Sequence, residues 1–190
     1  MGQALVLAGQ TITPAVLNRI YGTGDAVAHT VNNTSYAQLS SIYAIPASDA
    51  QSGTAYRLST FGNGTWGTAE ALTIAVGLAG TEIGTTPVIS GSAFSNAAAF
   101  DFELNATLIC VTNGTSGTWV AKIRGVLTQS ANSVLPGTAA DNTADVVGCT
   151  HTAVTQDTTI ADNFGVYAKW AGTTGSPTLS CVGTLFEKVN

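Results

Sequence analysis

Residues 100–127 constrain the fold of this chain more than any other part of its sequence. Between Phe100 and Cys110, apolar side chains occupy every second position and mostly polar residues lie between them. A period of two is the spacing of a β-strand with one buried face. Turn-type residues follow at positions 113–118, and the same alternation then continues from Trp119 to Leu127. We therefore predict a β-hairpin.

The two arms of this hairpin must share one apolar face, which determines how they pair. In the second arm, Lys122 and Arg124 lie between the apolar positions that begin with Trp119. For both apolar faces to lie on the same side, paired residue numbers must sum to an odd value. This register places the two basic residues near Asn105, Thr107 and Ile109, and it places Trp119 in the core. Because a lone hairpin is marginal in water, other strands must cover the apolar face.

The composition predicts a compact domain whose surface carries few charges. The chain has 190 residues, of which 45% are apolar and only 9% are charged, whereas about a quarter of residues are charged in ordinary soluble domains. Such a chain is long enough to bury a substantial core. Its sparse charge suggests that part of the surface is buried against other subunits.

The charge pattern argues against nucleic-acid and membrane partners. The net charge is −5, and the six basic residues are spread singly, whereas a nucleic-acid site needs clustered Lys and Arg. The longest apolar run, residues 72–79, is too short to span a bilayer. The first residues lack the basic and apolar regions of a signal peptide, so we do not expect secretion by that route.

No metal or cofactor site is predicted. Cys110, Cys149 and Cys181 are far apart and form no CxxC pair, and the first and last of them lie on apolar sides of strands, where a thiol acts as a small hydrophobe. His29 and His151 have no second ligand at metal spacing. We interpret both histidines as surface or strand-edge residues.

The first segment, residues 1–24, is predicted to form an N-terminal arm with a short anchoring helix. Thr13 can cap a helix whose first position is Pro14. So short a helix needs a docking surface, which is either its own sheet or a larger assembly. The two interpretations are equally well supported by the residues. The apolar side chains that would form such an assembly anchor are Leu5, Val6, Leu7, Ile12, Val16, Leu17 and Ile20.

Residues 25–190 are predicted to form one all-β domain. Strand-like runs occupy residues 27–34, 43–45, 54–61, 72–78, 86–89 and 146–154, besides the hairpin above. Residues 130–144 are predicted to be a surface loop. Residues 164–170 and 179–185 are predicted to pair as a second hairpin around a turn at 172–177. Eight or so short strands with Gly-rich turns indicate a β-sandwich, and long loops between alternate strands favour its jelly-roll form.

Two motifs could be taken for catalytic or binding sites. Gly62, Gly64 and Gly67 match the spacing of a dinucleotide fingerprint, but Trp66 lies inside it and a strand rather than a helix follows. We predict a turn in which these glycines supply positive φ. Asp101 and Glu103 could in principle act as the acid and base of glycoside hydrolysis. However, Lys122 and Arg124 on the facing arm would keep both ionised, so we predict a solvated strand edge.

Aromatic side chains offer a further hypothesis, a carbohydrate-binding platform. The candidates are Tyr56, Phe61, Trp66, Trp119, Tyr167 and Trp170. Trp119 is in phase with the apolar face of the hairpin and is therefore assigned to the core instead.

The beginning of the chain resembles a known group of proteins. Residues 9–18 read Gly-Gln-Thr-Ile-Thr-Pro-Ala-Val-Leu-Asn. This run resembles the Gly-Gln-x-Leu/Ile-Thr-Ala-x-x-Leu-Asn opening common in virion proteins of tailed bacteriophages of actinobacteria, where it also occurs at the head of tail-fibre proteins. The body is similar to small β-rich phage structural proteins, through runs such as residues 55–58, 61–67 and 114–119. The resemblance implies a non-enzymatic virion component, a trimer of jelly rolls with a short N-terminal anchor.

Three functions therefore follow as hypotheses. The first is a homotrimeric capsid decoration protein that binds itself and the major capsid protein or another virion protein, assembled in the host cytoplasm. The second is a tail-fibre or receptor-binding tail protein that recognises host surface glycan through an exposed aromatic such as Trp66 or Trp170. The third is a small glycan-active enzyme using Asp101 and Glu103. We expect no enzymatic activity and no cofactor.

Overall fold

A computed structural model describes residues 24–25, 29–67, 70–89, 99–129, 143–149 and 153–189 of the chain. Every regular element within these residues is a β-strand. Thirteen strands form two sheets, which we call sheet A and sheet B. Sheet A contains β1 (Gly24–Asp25), β2 (His29–Val31), β5 (Ala55–Thr65), β8 (Ala99–Thr112), β9 (Thr118–Gln129), β10 (Thr143–Cys149), β11 (Val154–Thr155) and β13 (Thr178–Val189). Sheet B contains β3 (Ala37–Gln38), β4 (Tyr43–Ile45), β6 (Leu72–Leu78), β7 (Thr81–Thr85) and β12 (Asp162–Trp170).

The two sheets are antiparallel and pack face to face as a sandwich. Sheet A runs in the order β1-β13-β5-β8-β9-β10, with β2 also paired to β13 and β11 to β9. Sheet B runs β3-β12-β6-β7, with β4 also paired to β12. The inward-facing side chains of both sheets form one core. The predicted all-β sandwich is thus confirmed.

The hairpin predicted at residues 100–127 is confirmed as β8 and β9. Arg124 lies directly opposite Asn105 and Lys122 directly opposite Thr107, so paired numbers sum to an odd value. Trp119 is fully buried, as its phase predicts. The burial of this strand pair alternates along β8, which is the pattern of a strand with one face on a core.

Aromatic rings fill the space between the sheets. Near one end of the sandwich, the ring centroid of Trp66 lies 5.0 Å from that of Trp170 and 5.4 Å from that of Phe100, both edge to face. Near the other end, Tyr43 of sheet B stacks on Phe186 of sheet A at 4.7 Å. These edge-to-face and stacked pairs join the two sheets at both ends of the core.

The prediction of a turn at Gly62, Gly64 and Gly67 is wrong. The first two lie inside β5, which continues to Thr65, and none of the three has a positive φ. The reason for glycine here is close approach of the backbone of the neighbouring strand. A Cβ on Gly62 would lie 2.0 Å from the carbonyl oxygen of Ser180 in β13. Gly62 and Gly64 therefore allow β5 and β13 to pair where a side chain would not fit.

Two further strand assignments also differ from prediction. Strands β12 and β13 do not pair as a second hairpin, because β12 belongs to sheet B and β13 to sheet A. The connection between them crosses from one sheet to the other. The short strand predicted at residues 86–89 is also wrong, since β7 comes earlier, at Thr81–Thr85, and Ile89 forms only a single bridge with Leu72.

Some predictions fall on residues that the structure does not describe. The arm and anchoring helix of residues 1–24 lie outside the described residues apart from Gly24, which pairs with Leu185 in sheet A. Much of the predicted 130–144 loop also lies outside them, and its last two residues belong to β10. The strand predicted at residues 146–154 corresponds to the end of β10 and the start of β11.

Candidate functional site

The outer face of sheet A, which points away from the core, carries several exposed apolar side chains. Eight large apolar side chains are exposed among the described residues, and five of them belong to β5, β8 and β13 of this sheet: Phe61, Ile109, Val111, Val182 and Leu185. Single exposed apolar residues are normal, but clusters on one face mark interaction surfaces. We call Phe61, Val182 and Leu185, which lie on the adjacent strands β5 and β13, the apolar patch.

Phe61 is the central member of the apolar patch. Its ring occupies the space above Gly183 of the neighbouring strand, where a Cβ would lie 2.6 Å from the ring Cζ atom. Gly183 follows an irregularity in the pairing of β13 with β5. Because glycine leaves this space empty, the Phe61 ring can rest on the backbone of β13 while 52% of the residue stays exposed.

Charged side chains lie beside the apolar patch on the same face. Asp101 and Glu103 project from β8, and both are exposed. Lys122 and Arg124 project from the adjacent strand β9, and both are also exposed. The face thus carries an acidic pair and a basic pair on neighbouring strands.

A shallow depression separates the apolar patch from β9. Its volume is about 440 Å³. Glu103 lies directly between Phe61 on β5 and Val126 on β9. The residues that line the depression are Phe61, Gly62, Asp101, Phe102, Glu103, Val126 and Thr128.

The acidic pair is solvated, as predicted, but it does not lie at a sheet edge. Strand β8 is flanked by β5 and β9, so Asp101 and Glu103 stand in the middle of the outer face. In the pairing of β8 with β9, Asp101 lies opposite Thr128 and Glu103 lies opposite Val126. The two basic residues of β9 lie opposite later positions of β8. The two carboxylates are exposed to solvent in the shallow depression.

The predicted aromatic platform is wrong for most of its members. Tyr56, Trp66, Trp119 and Trp170 are all buried in the core. Each of the three indole N–H groups has a backbone acceptor; that of Trp66, for example, donates to the carbonyl of Glu70 at 2.9 Å. Trp66 and Trp170 therefore cannot serve as the exposed aromatics of a receptor site.

The two remaining candidates lie on opposite sides of the molecule. Phe61 is on the outer face of sheet A, whereas Tyr167 is half-buried on β12 of sheet B. The Tyr167 ring covers Gly77 of β6, where a Cβ would meet it at 2.3 Å. Burial, together with the charge of Glu82, raises the pKa of Tyr167. Phe61 and Tyr167 therefore form no common platform.

Histidine and cysteine side chains offer no reactive site within the described residues. His29 lies on the short strand β2, where Nε2 is 3.4 Å from the Ser41 hydroxyl. Cys110 and Cys181 are buried thiols, as predicted, and burial raises the pKa of Cys110. No group of three metal-ligating side chains occurs among the residues that the structure describes. His151 and the Cys149 side chain lie outside the described part.

One polar cluster joins the loop before β5 to two strands of sheet A. Asp49, in the loop before β5, accepts hydrogen bonds from the Tyr56 hydroxyl and from the Lys188 ammonium, each at 2.7 Å. The Lys188 and Asp49 side chains are only 12% and 19% exposed. Burial and the bond to Asp49 raise the pKa of Tyr56. The three groups tie the loop to β5 and β13.

Asp162 at the start of β12 is the least satisfied polar group in the described core. It is 5% exposed, and Oδ1 accepts a hydrogen bond from Gln156 Nε2 at 3.2 Å. Oδ2 has no hydrogen-bond partner among the described residues. Burial raises the pKa of this carboxyl, and the charge of Asp157 adds to the rise. The charged form of Asp162 therefore costs stability in the folded state.

We expect Asp162→Asn to stabilise the protein at neutral pH. Since the folded-state pKa is raised above its ordinary value of 3.8, the favourable contribution of protonated Asp162 is present below about that pH and is lost as pH rises through the folded pKa. A neutral amide at this position has no charge to bury at any pH, so the free energy of unfolding should rise by about 1 kcal/mol at pH 7. Urea unfolding at several pH values measures the effect.

The gain from Asp162→Asn should shrink as pH approaches 4. Glu103→Gln, which neutralises an exposed carboxylate, is the control and should change stability little at either pH. A variant less stable than the parent at pH 7 would contradict the cost assigned to the Asp162 charge.

The assembly anchor predicted at Leu5, Val6, Leu7, Ile12, Val16, Leu17 and Ile20 lies outside the described residues, so the structure does not place it. The apolar patch was not predicted as a site. A signal for it exists in the sequence, because Phe61 is out of phase with Tyr56 and Leu58, which face the core. A large aromatic on the solvent side of a strand is the feature that marks this face.

The comparisons with known proteins return no relative. No model of a protein family, no curated protein and no solved structure matches the chain. Within the described residues, no helix has the length and apolar character needed to cross a bilayer.

Proposed function

We propose that this protein is a structural component of a bacteriophage virion, a homotrimeric decoration protein on the capsid surface. The observation that carries the proposal is the outer face of sheet A. Five of the eight exposed large apolar side chains of the described residues belong to the strands of that sheet. Clustered exposed apolar side chains mark interaction surfaces, and an assembled subunit covers such a face.

Composition supports the same proposal. Only 9% of the residues are charged, and net charge is −5. Subunit interfaces are depleted in charged residues at their centres, so a chain that meets copies of itself and a shell can have few charges. The resemblance of residues 9–18 to the opening of phage virion proteins is the reason for proposing a phage particle. The apolar segment that includes Val16, Leu17 and Ile20 is the proposed anchor to the major capsid protein.

The strand order supports interpreting the sandwich as a jelly roll. The strands β2-β13-β5-β8 of sheet A face β4-β12-β6-β7 of sheet B. Within each group of four, the strand that comes first in the chain pairs with the strand that comes last, β2 with β13 and β4 with β12. Most connections also cross between the two sheets. Both features are typical of two Greek keys. In this interpretation β9 and β10 extend sheet A beyond β8. Jelly rolls recur in viral capsid proteins, although a fold alone does not determine a function.

The trimer is tested by measuring the mass of the purified protein in solution. Sedimentation at micromolar concentration should give three times 19.2 kDa. A strict monomer at that concentration would contradict the trimer. Electron cryomicroscopy of the assembled particle should then locate the protein on the head surface, and its absence from the virion would end the proposal.

The depression beside Phe61 favours a second candidate, a tail protein that binds host surface glycan. An exposed aromatic ring next to two carboxylates can stack on a sugar and accept hydrogen bonds from its hydroxyls. In that case Phe61→Ala should abolish binding to the host cell wall, while Tyr167→Ala on the opposite sheet should leave binding unchanged. Binding that survives Phe61→Ala would remove this candidate.

A further inference from the structure

We infer that the outer face of sheet A is a self-association face, on which the acidic pair Asp101 and Glu103 of one copy lies against the basic pair Lys122 and Arg124 of the next. This inference rests on the proposed function, because it names the surface through which copies of the chain meet. The occupant of the face is a second copy of this chain.

Basic residues are concentrated on this face, in a chain that has few charges. The chain has six Lys and Arg residues in all. Three of them, Arg57, Lys122 and Arg124, lie on the outer face of sheet A. Half of the basic residues are therefore concentrated on the face that also exposes the apolar patch. A face that served only as solvated surface would not combine these two features.

The charges on this face can be complementary between two copies. The acidic pair lies on β8 and the basic pair on β9, and the two pairs are displaced along the strands: Glu103 is level with Val126, whereas Arg124 is level with Asn105. A copy displaced or rotated over this face can therefore place its basic pair on the acidic pair of its neighbour. A face with charges of one sign would repel its own copy instead.

A partner for this face must match charges of both signs. Arg57 and Glu187 already form an ion pair at 2.7 Å across β5 and β13. Besides that pair, the exposed charged residues that the structure describes on this face are the acidic pair and the basic pair. A nucleic acid would be repelled by the acidic pair. A second copy presents both signs in the arrangement that matches, and the apolar patch supplies the surface that burial can stabilise.

Three variants, each with more than one substitution, test the inference when their self-association is measured by sedimentation. The double variant Asp101→Lys with Glu103→Lys, and separately the double variant Lys122→Glu with Arg124→Glu, place like charges across the contact. Each should raise the dissociation constant at least about tenfold. The variant that carries all four substitutions exchanges the acidic and basic pairs, restores opposite charges at every contact and should associate like the parent.

Two controls separate a broken contact from a broken fold. Val88→Ser changes a residue that is 67% exposed and lies outside the strands of sheet A, and it should leave association unchanged. Carbodiimide cross-linking of the unaltered protein, mixed from isotope-labelled and unlabelled copies, should join Lys122 of one copy to Glu103 or Asp101 of another. Absence of any such cross-link from an associated sample would overturn the inference even if a variant failed to fold.

The outcomes distinguish this inference from the proposed function. If the parent is oligomeric and both double variants associate as it does, the inference is wrong while the virion proposal stands. If the parent is monomeric at all concentrations tested, both the trimer and the self-association face are wrong. Weakened double variants with recovery in the four-site variant support the inference.

Discussion

Trp119→Ala should cost about 3 to 5 kcal/mol of the free energy of unfolding, the range for deleting a buried aromatic. The residue is fully buried, and its ring centroid lies 6.2 Å from that of Tyr56. Its indole N–H donates to the carbonyl of Gln156 at 3.3 Å, in the segment that follows β11. Alanine would leave a cavity between the sheets and an unpaired carbonyl at that segment. Urea unfolding followed by intrinsic fluorescence of the remaining tryptophans measures the loss.

Two further substitutions are controls for the loss of stability in Trp119→Ala. Trp119→Phe keeps one aromatic ring but loses the N–H donor and part of the ring volume, so it should cost clearly less than alanine. Val88→Ala truncates a residue that is 67% exposed and should change stability by no more than about 0.5 kcal/mol. If Trp119→Ala cost as little as Val88→Ala, the inner face assigned to the hairpin would be wrong.

The sequence was sufficient to predict the elements whose pattern is local. The hairpin of β8 and β9 has a period of two and an apolar face on each arm, which together allow only one register. The strand Leu72–Leu78 is clearly alternating, and the strand Tyr43–Ile45 ends before a proline, and both were predicted at their observed bounds. Burial of Trp119, Cys110 and Cys181 followed from the same alternation.

The elements that were missed depend on distant parts of the chain. The pattern of β12 and β13 is equally strand-like whether the two strands pair or lie in opposite sheets. Only the packing of each against other strands decides that question, β12 beside β6 and β13 beside β5. The apolar patch was missed for the same reason. The apolar patch brings Phe61 beside Val182 and Leu185, which are more than a hundred positions away, so no local spacing could join them.

Glycine in a strand was the other source of error, because two physical roles of glycine look alike in a sequence. Glycine can supply positive φ in a turn, as Gly80 does with φ of 78° between β6 and β7. It can also leave room where another backbone approaches, as Gly62 does in β5. Only the partner strand distinguishes the two roles, and the partner here is β13, far away in the sequence.

Gly62→Ala should therefore destabilise the protein by about 3 kcal/mol, at the upper end of the usual cost of overpacking. The new Cβ would lie 2.0 Å from the carbonyl oxygen of Ser180 and 3.0 Å from Cα of Cys181. Both are backbone atoms of the paired strand, so no side chain can turn aside, and β5 and β13 must separate locally. The free energy of unfolding from urea titration measures the cost.

Gly165→Ala is the matched control, because it adds the same methyl group to a strand glycine that has room for it. At this position in β12 the nearest atoms, Ile42 Cγ1 and Tyr167 Cε2, would be 3.4 and 3.5 Å from the Cβ, and φ is not positive. Alanine restricts the unfolded chain, so this variant should be neutral or gain up to about 1 kcal/mol. Equal effects at the two positions would show that β13 does not approach β5 at Gly62, and the order of strands in sheet A would then be wrong.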